Sequence, residues 1–168
     1  MFYGDVFKAL NKAKVKYVVA GGVAVVLHGY KRLTEDLDLI VWLEEKNLDQ
    51  LFNALVKIGY MPKVPVTKDQ FKDKKERERW KKEKGMIVFS FCKKDPPFNL
   101  IDIFVDEPIR FDVVYKNRFM GKFNNISIPL VSIDHLIRLK EQAGRAVDLN
   151  DIAQLVEIKR IRRAKNVK

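Results

Sequence analysis

Two aspartates spaced two apart at the head of an apolar run, Asp36-Leu-Asp-Leu-Ile-Val-Trp-Leu43, constrain this chain more than any other feature in it. The stretch from Leu37 to Leu43 reads as a strand. Side chains alternate between the faces of a strand, so Asp36 and Asp38 share one face. Two unpaired carboxylates side by side repel, and each raises the pKa of the other unless a cation lies between them. A hard divalent ion with oxygen ligands is the natural partner. Mg²⁺ suits best, because it takes one or two carboxylates and fills its other positions with phosphate oxygens. Asp-x-Asp is also common in turns and caps, so its surroundings decide the reading.

Those surroundings are informative. Gly21-Gly22 stands between a short β-prone run, Tyr17-Val-Val-Ala20, and an apolar stretch from Val23 to His28 that reads as a buried helix stopped by Gly29. Backbone N–H groups at a helix N-terminus, free of side chains, make an anion site for a triphosphate. The pattern is neither a P-loop nor a GxGxxG fingerprint. Asp102 sits inside a second apolar run, Leu100-Ile-Asp-Ile-Phe-Val105, where a lone carboxylate is costly unless paired or metal-bound. It is a third ligand or a general base if its strand neighbours the first, and otherwise a structural partner of an Arg or Lys. Three carboxylates holding two Mg²⁺ ions suit in-line phosphoryl or nucleotidyl transfer. Arg32 and Thr34 lie in the loop before Asp36. They reach phosphates or the acceptor, or else Arg32 pairs with Glu35 and Thr34 makes a side-chain turn. His28 is expected to satisfy carbonyls at a helix end, and Cys92 to be an inert buried thiol.

The remaining order is of helices around a small mixed sheet, an α+β or α/β class. Helices are expected over Phe2 to Ala13, around Leu48 to Val56, from Ser132 onward, and from about Asn150 with Ile152, Leu155 and Val156 facing inward. Further strands are expected over Met86 to Phe91 and Leu100 to Val105, separated by a Pro96-Pro97 loop. Phe111 to Tyr115 and Ile126 to Leu130 are weaker strand candidates. At 168 residues the chain is the size of a single domain. We expect an α/β core over 1–131, a charged helical insertion at 63–84 and a helical part at 132–168. One cysteine and two histidines exclude a disulfide framework and a cysteine-rich zinc site. No apolar run approaches the ~20 residues that span a bilayer, and the start lacks a signal-peptide pattern. The expected compartment is the cytoplasm, with no membrane partner.

The net charge of +11 is concentrated in two places. Residues 63–84 hold ten Lys or Arg against five acids, and residues 159–168 hold six Lys or Arg and no acid. All other residues together are neutral. Such patches attract polyanions, so RNA is a candidate partner. The alternative for the first patch is a solvated helix. Thr67-Lys-Asp-Gln70 reads as a capping box, and Asp73 with Arg77 and Glu78 with Lys82 are spaced for i,i+4 pairs. For the second, the alternative is a fraying helix end. Trp80 is expected to pack on a helix surface.

The sequence from Gly21 to Leu39, "GGVAVVLHGYKRLTEDLDL", resembles the nucleotidyltransferase superfamily related to DNA polymerase beta. There a Gly-Gly turn and a helix precede Asp-hydrophobic-Asp on a strand, with a later strand aspartate. More closely, Arg32, Thr34, Asp36 and Asp38 look like the Arg-x-Thr-x-Asp-hydrophobic-Asp signature of the AbiEii-type toxin and related nucleotidyltransferase group. Lys140, Arg145, Asp148 and Asp151 in "DHLIRLKEQAGRAVDLNDIAQL" resemble that group's second signature. The resemblance implies a nucleotidyltransferase fold with C-terminal helices and a Mg²⁺-dependent transfer of NMP from an NTP to a hydroxyl. Asp36 and Asp38 would bind the metals, with Asp102 as third carboxylate. Gly21, Gly22, Arg32 and Thr34 would lie along the nucleotide, Lys140 would touch its phosphates, and Asp148 would orient Lys140 or the substrate. A salt bridge between packed helices is the other reading of Lys140 and Asp148. The acceptor would be a tRNA 3′ end, a small hydroxylated molecule as in antibiotic nucleotidyltransferases, or a protein hydroxyl. A silent nucleotide- or RNA-binding protein of the same fold, or a toxin–antitoxin element with an antitoxin partner, are the rival roles.

Overall fold

The structure, a computed structural model, describes residues 3–93 and 99–166. The expected Pro96-Pro97 loop and the last two residues of the C-terminal basic run lie outside the described residues. The chain opens with α1 (Gly4–Lys12), whose Val6, Phe7 and Leu10 are buried at helical spacing as the pattern requires. Then follow the wholly buried β1 (Tyr17–Val19), α2 (Gly21–His28), β2 (Asp36–Val41) and α3 (Glu45–Lys57). The short β3 (Tyr60–Pro62) leads into the charged insertion, α4 (Lys68–Lys72) and α5 (Lys74–Lys84). Next come β4 (Val88–Lys93), β5 (Leu100–Phe104), α6 (Phe111–Lys116), β6 (Phe119–Phe123) and β7 (Ile126–Leu130). The chain closes with α7 (Ile133–Ala143) and α8 (Ala146–Asn166).

The strands form one mixed sheet in the order β3-β4-β5-β2-β1-β7-β6. Strand β2 runs parallel to β5 and antiparallel to β1, while β1 is parallel to β7. Leu37, Leu39, Ile101 and Ile103 are fully buried on the core side of β2 and β5. Burial of that face fixes the register, because a one-residue slip would bury the aspartates instead. Helix α2 lies against β2 and touches both α7 and α8. No helix among the described residues is long and apolar enough to cross a membrane.

Several expectations need correction. Residues 111–116 form a helix, not a strand. The Glu107 carboxylate accepts from the Phe111 N–H at 3.1 Å, and Phe111 and Val114 bury one helical face. A short apolar run does not distinguish the two periods. The insertion is two helices rather than one. Thr67 and Gln70 form the expected capping box, but Asp73 is extended (φ −69°, ψ 114°) and its carboxylate caps the second helix. The i,i+4 pairs therefore do not form as expected: Glu78 pairs with Lys74, and Arg77 turns inward. Arg77 donates to the carbonyls of Phe71 (2.6 Å), Lys72 (2.8 Å) and Val105 (3.0 Å). Trp80 and Phe71 are buried with Phe52 and Phe89, so the insertion seals the core rather than lying on it. Helix α8 begins at Ala146, and Val156 on it is exposed, while Leu155 is buried. Cys92 is half-buried rather than buried.

Candidate active site

Parallel pairing sets Asp38 directly opposite Asp102, and Asp36 opposite Leu100. The strand period then puts all three carboxylates on one face. Asp36 is exposed, and the other two are half-buried. Burial pushes the Asp38 carboxyl up, and the charges of Asp102 and Asp36 push it further, to about 6, against the pull of Arg145 and Lys140. Burial also raises Asp102, opposed by a hydrogen bond from Ser90 Oγ to its Oδ1 at 2.6 Å.

The glycine pair is explained by what presses on it. Gly21 has φ +58°, and a Cβ there would lie 1.7 Å from Asp38 Oδ2. A Cβ on Gly22 would lie 2.4 Å from Thr34 Oγ1 and 2.7 Å from Arg32 Nη2. Ala20, the residue before α2, offers no side-chain cap, so the first N–H groups of α2 remain available to an anion. The structure thus brings Gly21, Gly22, Arg32, Thr34, Asp36, Asp38 and Asp102 together.

Lys140 and Asp148 belong to a chain of alternating charges beside Asp38. Arg32 Nε lies 3.0 Å from Asp151 Oδ1, and Lys140 Nζ lies 2.6 Å from Asp151 Oδ2 and 2.9 Å from Asp148 Oδ1. Arg145 Nε completes it at 2.8 Å from Asp148 Oδ2. Burial pushes the Asp148 carboxyl up, but hydrogen bonds from Arg145 and Lys140 more than reverse this and bring it to about 2. Arg32 and Lys140 are therefore engaged with carboxylates, and the interhelical salt bridge expected as the alternative for Lys140 and Asp148 is present.

A cavity of about 240 Å³ opens beside Asp38, lined among others by Gly21, Ile87, Phe104, Leu139 and Arg145. Larger clefts lie away from these groups. One of about 710 Å³ runs between α1 and α3, and one of about 580 Å³ lies where α5 faces Trp42 and Val105. We place the chemistry at the smaller cavity because Asp38, the most perturbed of the three carboxylates, and the free helix N-terminus meet there. Among the described residues no three His, Cys, Asp or Glu groups close into a ready-made metal site. An open row of hard oxygen donors at a strained, mutually repelling charge still fits Mg²⁺, which keeps positions for water and phosphate oxygens.

Two contributors escaped sequence reasoning. Ser90 orients Asp102, and its signal was a lone hydroxyl in the apolar run Val88-Phe-Ser-Phe91. Tyr3 places its hydroxyl 2.5 Å from the Glu35 carbonyl and 2.9 Å from that of Leu100, clamping the heads of β2 and β5, and burial lifts its phenol well above the usual range. The basic runs are partly neutralised: Lys81 pairs with Asp106, Lys159 with Asp134 and Arg160 with Glu157, while Lys75, Lys82 and Lys84 stand exposed. His28 is buried, with Nε2 2.8 Å from the Val131 carbonyl, so it serves a neighbouring strand end rather than its own helix.

Residues 4–155 match the family model of the aminoglycoside-2''-adenylyltransferases. No curated protein sequence matches the chain. Among solved structures, an antigenic nucleotidyltransferase-like protein from Paracoccidioides brasiliensis is similar, at 19% identity and TM-score 0.58 over 91% of this chain and 72% of that one. The lincomycin-bound lincosamide antibiotic adenylyltransferase LnuA aligns at 16% identity and TM-score 0.56, over 91% of this chain and 93% of its own. ANT(2")-Ia in complex with adenylyl-2"-tobramycin aligns at 11% identity and TM-score 0.56, over 95% and 92%. The fold is that of the nucleotidyltransferases, as the Gly-Gly and Asp-x-Asp pattern implies. The AbiEii-type subgroup stays an expectation of the sequence alone.

Proposed function

The chain belongs to the aminoglycoside-2''-adenylyltransferase family and is a nucleotidyltransferase, and from that premise we propose that it moves an NMP from an NTP onto the hydroxyl of an acceptor at the Asp36, Asp38 and Asp102 face. The observation that carries this reading is the register of Asp38 beside Asp102 with the Gly21 backbone pressed against Asp38. In this reading residues 1–168 act as one nucleotidyltransferase domain, and its NTP places it in the cytoplasm.

The N–H groups of Gly21 and Gly22, which no side chain caps, receive the triphosphate. Asp36 and Asp38, with Asp102, would hold Mg²⁺, which supplies charge neutralisation for the phosphates and polarises the attacked phosphorus. The acceptor oxygen bonds to the α-phosphorus, the bond to the β-phosphate breaks, and pyrophosphate leaves. Ser90 occupies Asp102 Oδ1, which leaves Oδ2 either to join the metal ligands or, as a general base, to take the proton of the acceptor hydroxyl.

A small hydroxylated acceptor is supported by the family and by two structural neighbours, the lincomycin-bound LnuA and ANT(2")-Ia with adenylyl-2"-tobramycin. A second reading, transfer to an RNA 3′ end, is favoured by the exposed Lys75, Lys82 and Lys84. An antitoxin partner rests only on the AbiEii resemblance. Purified protein should be incubated with each α-labelled NTP and Mg²⁺, with hydroxylated antibiotics in one set and total cellular RNA in another. Label should move to one acceptor class and be lost with chelator and in Asp38→Asn. If the wild type transfers no label and binds no NTP in the presence of Mg²⁺, the reading falls.

A further inference from the structure

The chain of alternating charges beside Asp38 has unlike ends and a closed middle. The Lys140 side chain is 4% exposed, and its ammonium lies within 2.9 Å of Asp148 and 2.6 Å of Asp151, both carboxylates wholly buried. Drawing Lys140 toward a phosphate would take a partner from two wholly buried carboxylates, leaving Asp148 only Arg145 and Asp151 only Arg32. Arg32, at one end, is turned toward Asp151 and the Leu33 carbonyl. Arg145, at the other, has a side chain 67% exposed and lines the cavity it shares with Gly21 and Asp38.

We propose that Arg145 is the cation that meets the triphosphate, and that Lys140 is a positioning residue which holds Asp148, and through it Arg145, in place. This rests on the nucleotidyl-transfer reading and departs from the role that the resemblance assigns to Lys140.

The geometry of Arg145 suits the task. Gly144 takes φ +62° and ends α7, so Arg145 emerges at the head of α8. Its guanidinium spends Nε–H and one Nη2–H on Asp148, at 2.8 and 3.2 Å. Of its five N–H donors, the other three have no protein acceptor among the described residues. A planar fork with donors to spare matches phosphate oxygens better than a point charge does. Arg145 is also the foremost cation acting on Asp38, ahead of Lys140, so its charge reaches the site where the metal would sit. Asp148 serves as the mount: Lys140 fixes its Oδ1, and Arg145 N–H and Nε–H hold its Oδ2.

The test compares binding of a Mg²⁺-loaded α,β-methylene NTP with binding of the matching nucleoside, by calorimetry, in the full chain. Arg145→Ala should weaken the triphosphate analogue by about 10- to 100-fold, as loss of a charge-assisted contact does. Nucleoside affinity should barely change, the thermal midpoint should fall less than in Lys140→Met because Lys140 still neutralises Asp148, and Arg145→Lys should recover part of the lost triphosphate affinity. Lys140→Met should lower the midpoint, and the protein that remains folded should bind the analogue more weakly than wild type, because Arg145 loses its mount, but by less than Arg145→Ala does. Unchanged triphosphate affinity in Arg145→Ala overturns the proposal, as does an equal loss for the nucleoside. If folded Lys140→Met loses more triphosphate affinity than Arg145→Ala, the roles are reversed and the proposal is wrong. If the wild type binds no analogue at all, the nucleotidyl-transfer reading itself fails, an outcome distinct from the others.

Discussion

An alanine at position 21 would place its methyl group 1.7 Å from Asp38 Oδ2 and hold φ at +58°. The backbone strain alone costs about 1–2 kcal/mol, and the carboxylate must also move. Gly21→Ala should therefore lose stability in denaturant titration and about 100-fold in turnover, the scale of a misplacement near 1 Å. Near-wild-type turnover would show that Asp38 need not sit where it does. Asp38 itself should behave in the opposite sense. Its carboxyl is raised from 3.8 to about 6, so the folded protein holds that proton more tightly than the unfolded chain. This contribution is complete below the ordinary value and is lost as pH rises through about 6. At neutral pH the metal-free protein then carries a charge that burial first, and repulsion from Asp102 and Asp36 second, make costly by about 3 kcal/mol. Asp38→Asn should raise the thermal midpoint of the metal-free protein at neutral pH, abolish transfer, and remove the rise that Mg²⁺ gives the wild type. A midpoint below wild type would refute that cost. Gly21, Gly22, Asp36 and Asp38 were legible because they lie within one short segment whose spacing carries the geometry. Ser90 and Tyr3 were not, since each matters only through the register of strands far apart in sequence.

At the scale of elements, the charged insertion shows where local reasoning stopped. Its capping box and amphipathic spacing were readable, yet the extended Asp73 breaks the helix and redirects Arg77 into the core. Among the described residues Arg77 has no carboxylate partner there, and it satisfies three carbonyls, two in the insertion and one just after β5. Replacing it with methionine leaves those acceptors buried, each lost bond costing about 1–3 kcal/mol. Arg77→Met should lower stability by about 3 kcal/mol, and hydrogen exchange should quicken first in α4 and α5. Uniform loss of protection across the sheet would show that the insertion is not a separate latch. The edge strands β3 and β6 were missed for a related reason. The first is only three residues long, the second carries a glycine and two exposed apolar residues, and pairing partners rather than composition make them strands. The helix at 111–116 was misread because six apolar-rich residues fit either period.

At the scale of the molecule, the C-terminal helix is clipped back across the fold. Arg162 donates to the His28 carbonyl at 2.9 Å and lies 4.5 Å over the Phe119 ring, binding the far end of α8 to α2 and β6. The basic run at the C-terminus is thus partly built into the fold. Burial lowers the His28 pKa from 6.5, opposed by the bond to Val131, and the Arg162 charge lowers it further. The folded protein prefers the neutral ring, so this contribution is complete above 6.5 and is lost as pH falls below it. The thermal midpoint should drop on the acid side of 6.5, and His28→Gln should flatten that drop. An unchanged slope in the variant would place the acid sensitivity elsewhere.

The sheet order carries a consequence in time. Strands β5 and β2 stand third and fourth of seven, so neither carboxylate strand has a free edge. Separating Asp38 from Asp102 means unzipping the middle of the sheet, which is unfolding of the whole protein rather than a local opening. The acidic half of the site should therefore persist as long as the molecule does, and its heat inactivation should follow the clock of global unfolding. Arg145 sits instead at the joint between two helices, with a side chain 67% exposed that can leave and regain its contacts without opening the sheet. In such a protein the grip on substrate can loosen and recover many times within the lifetime of a single catalytic centre.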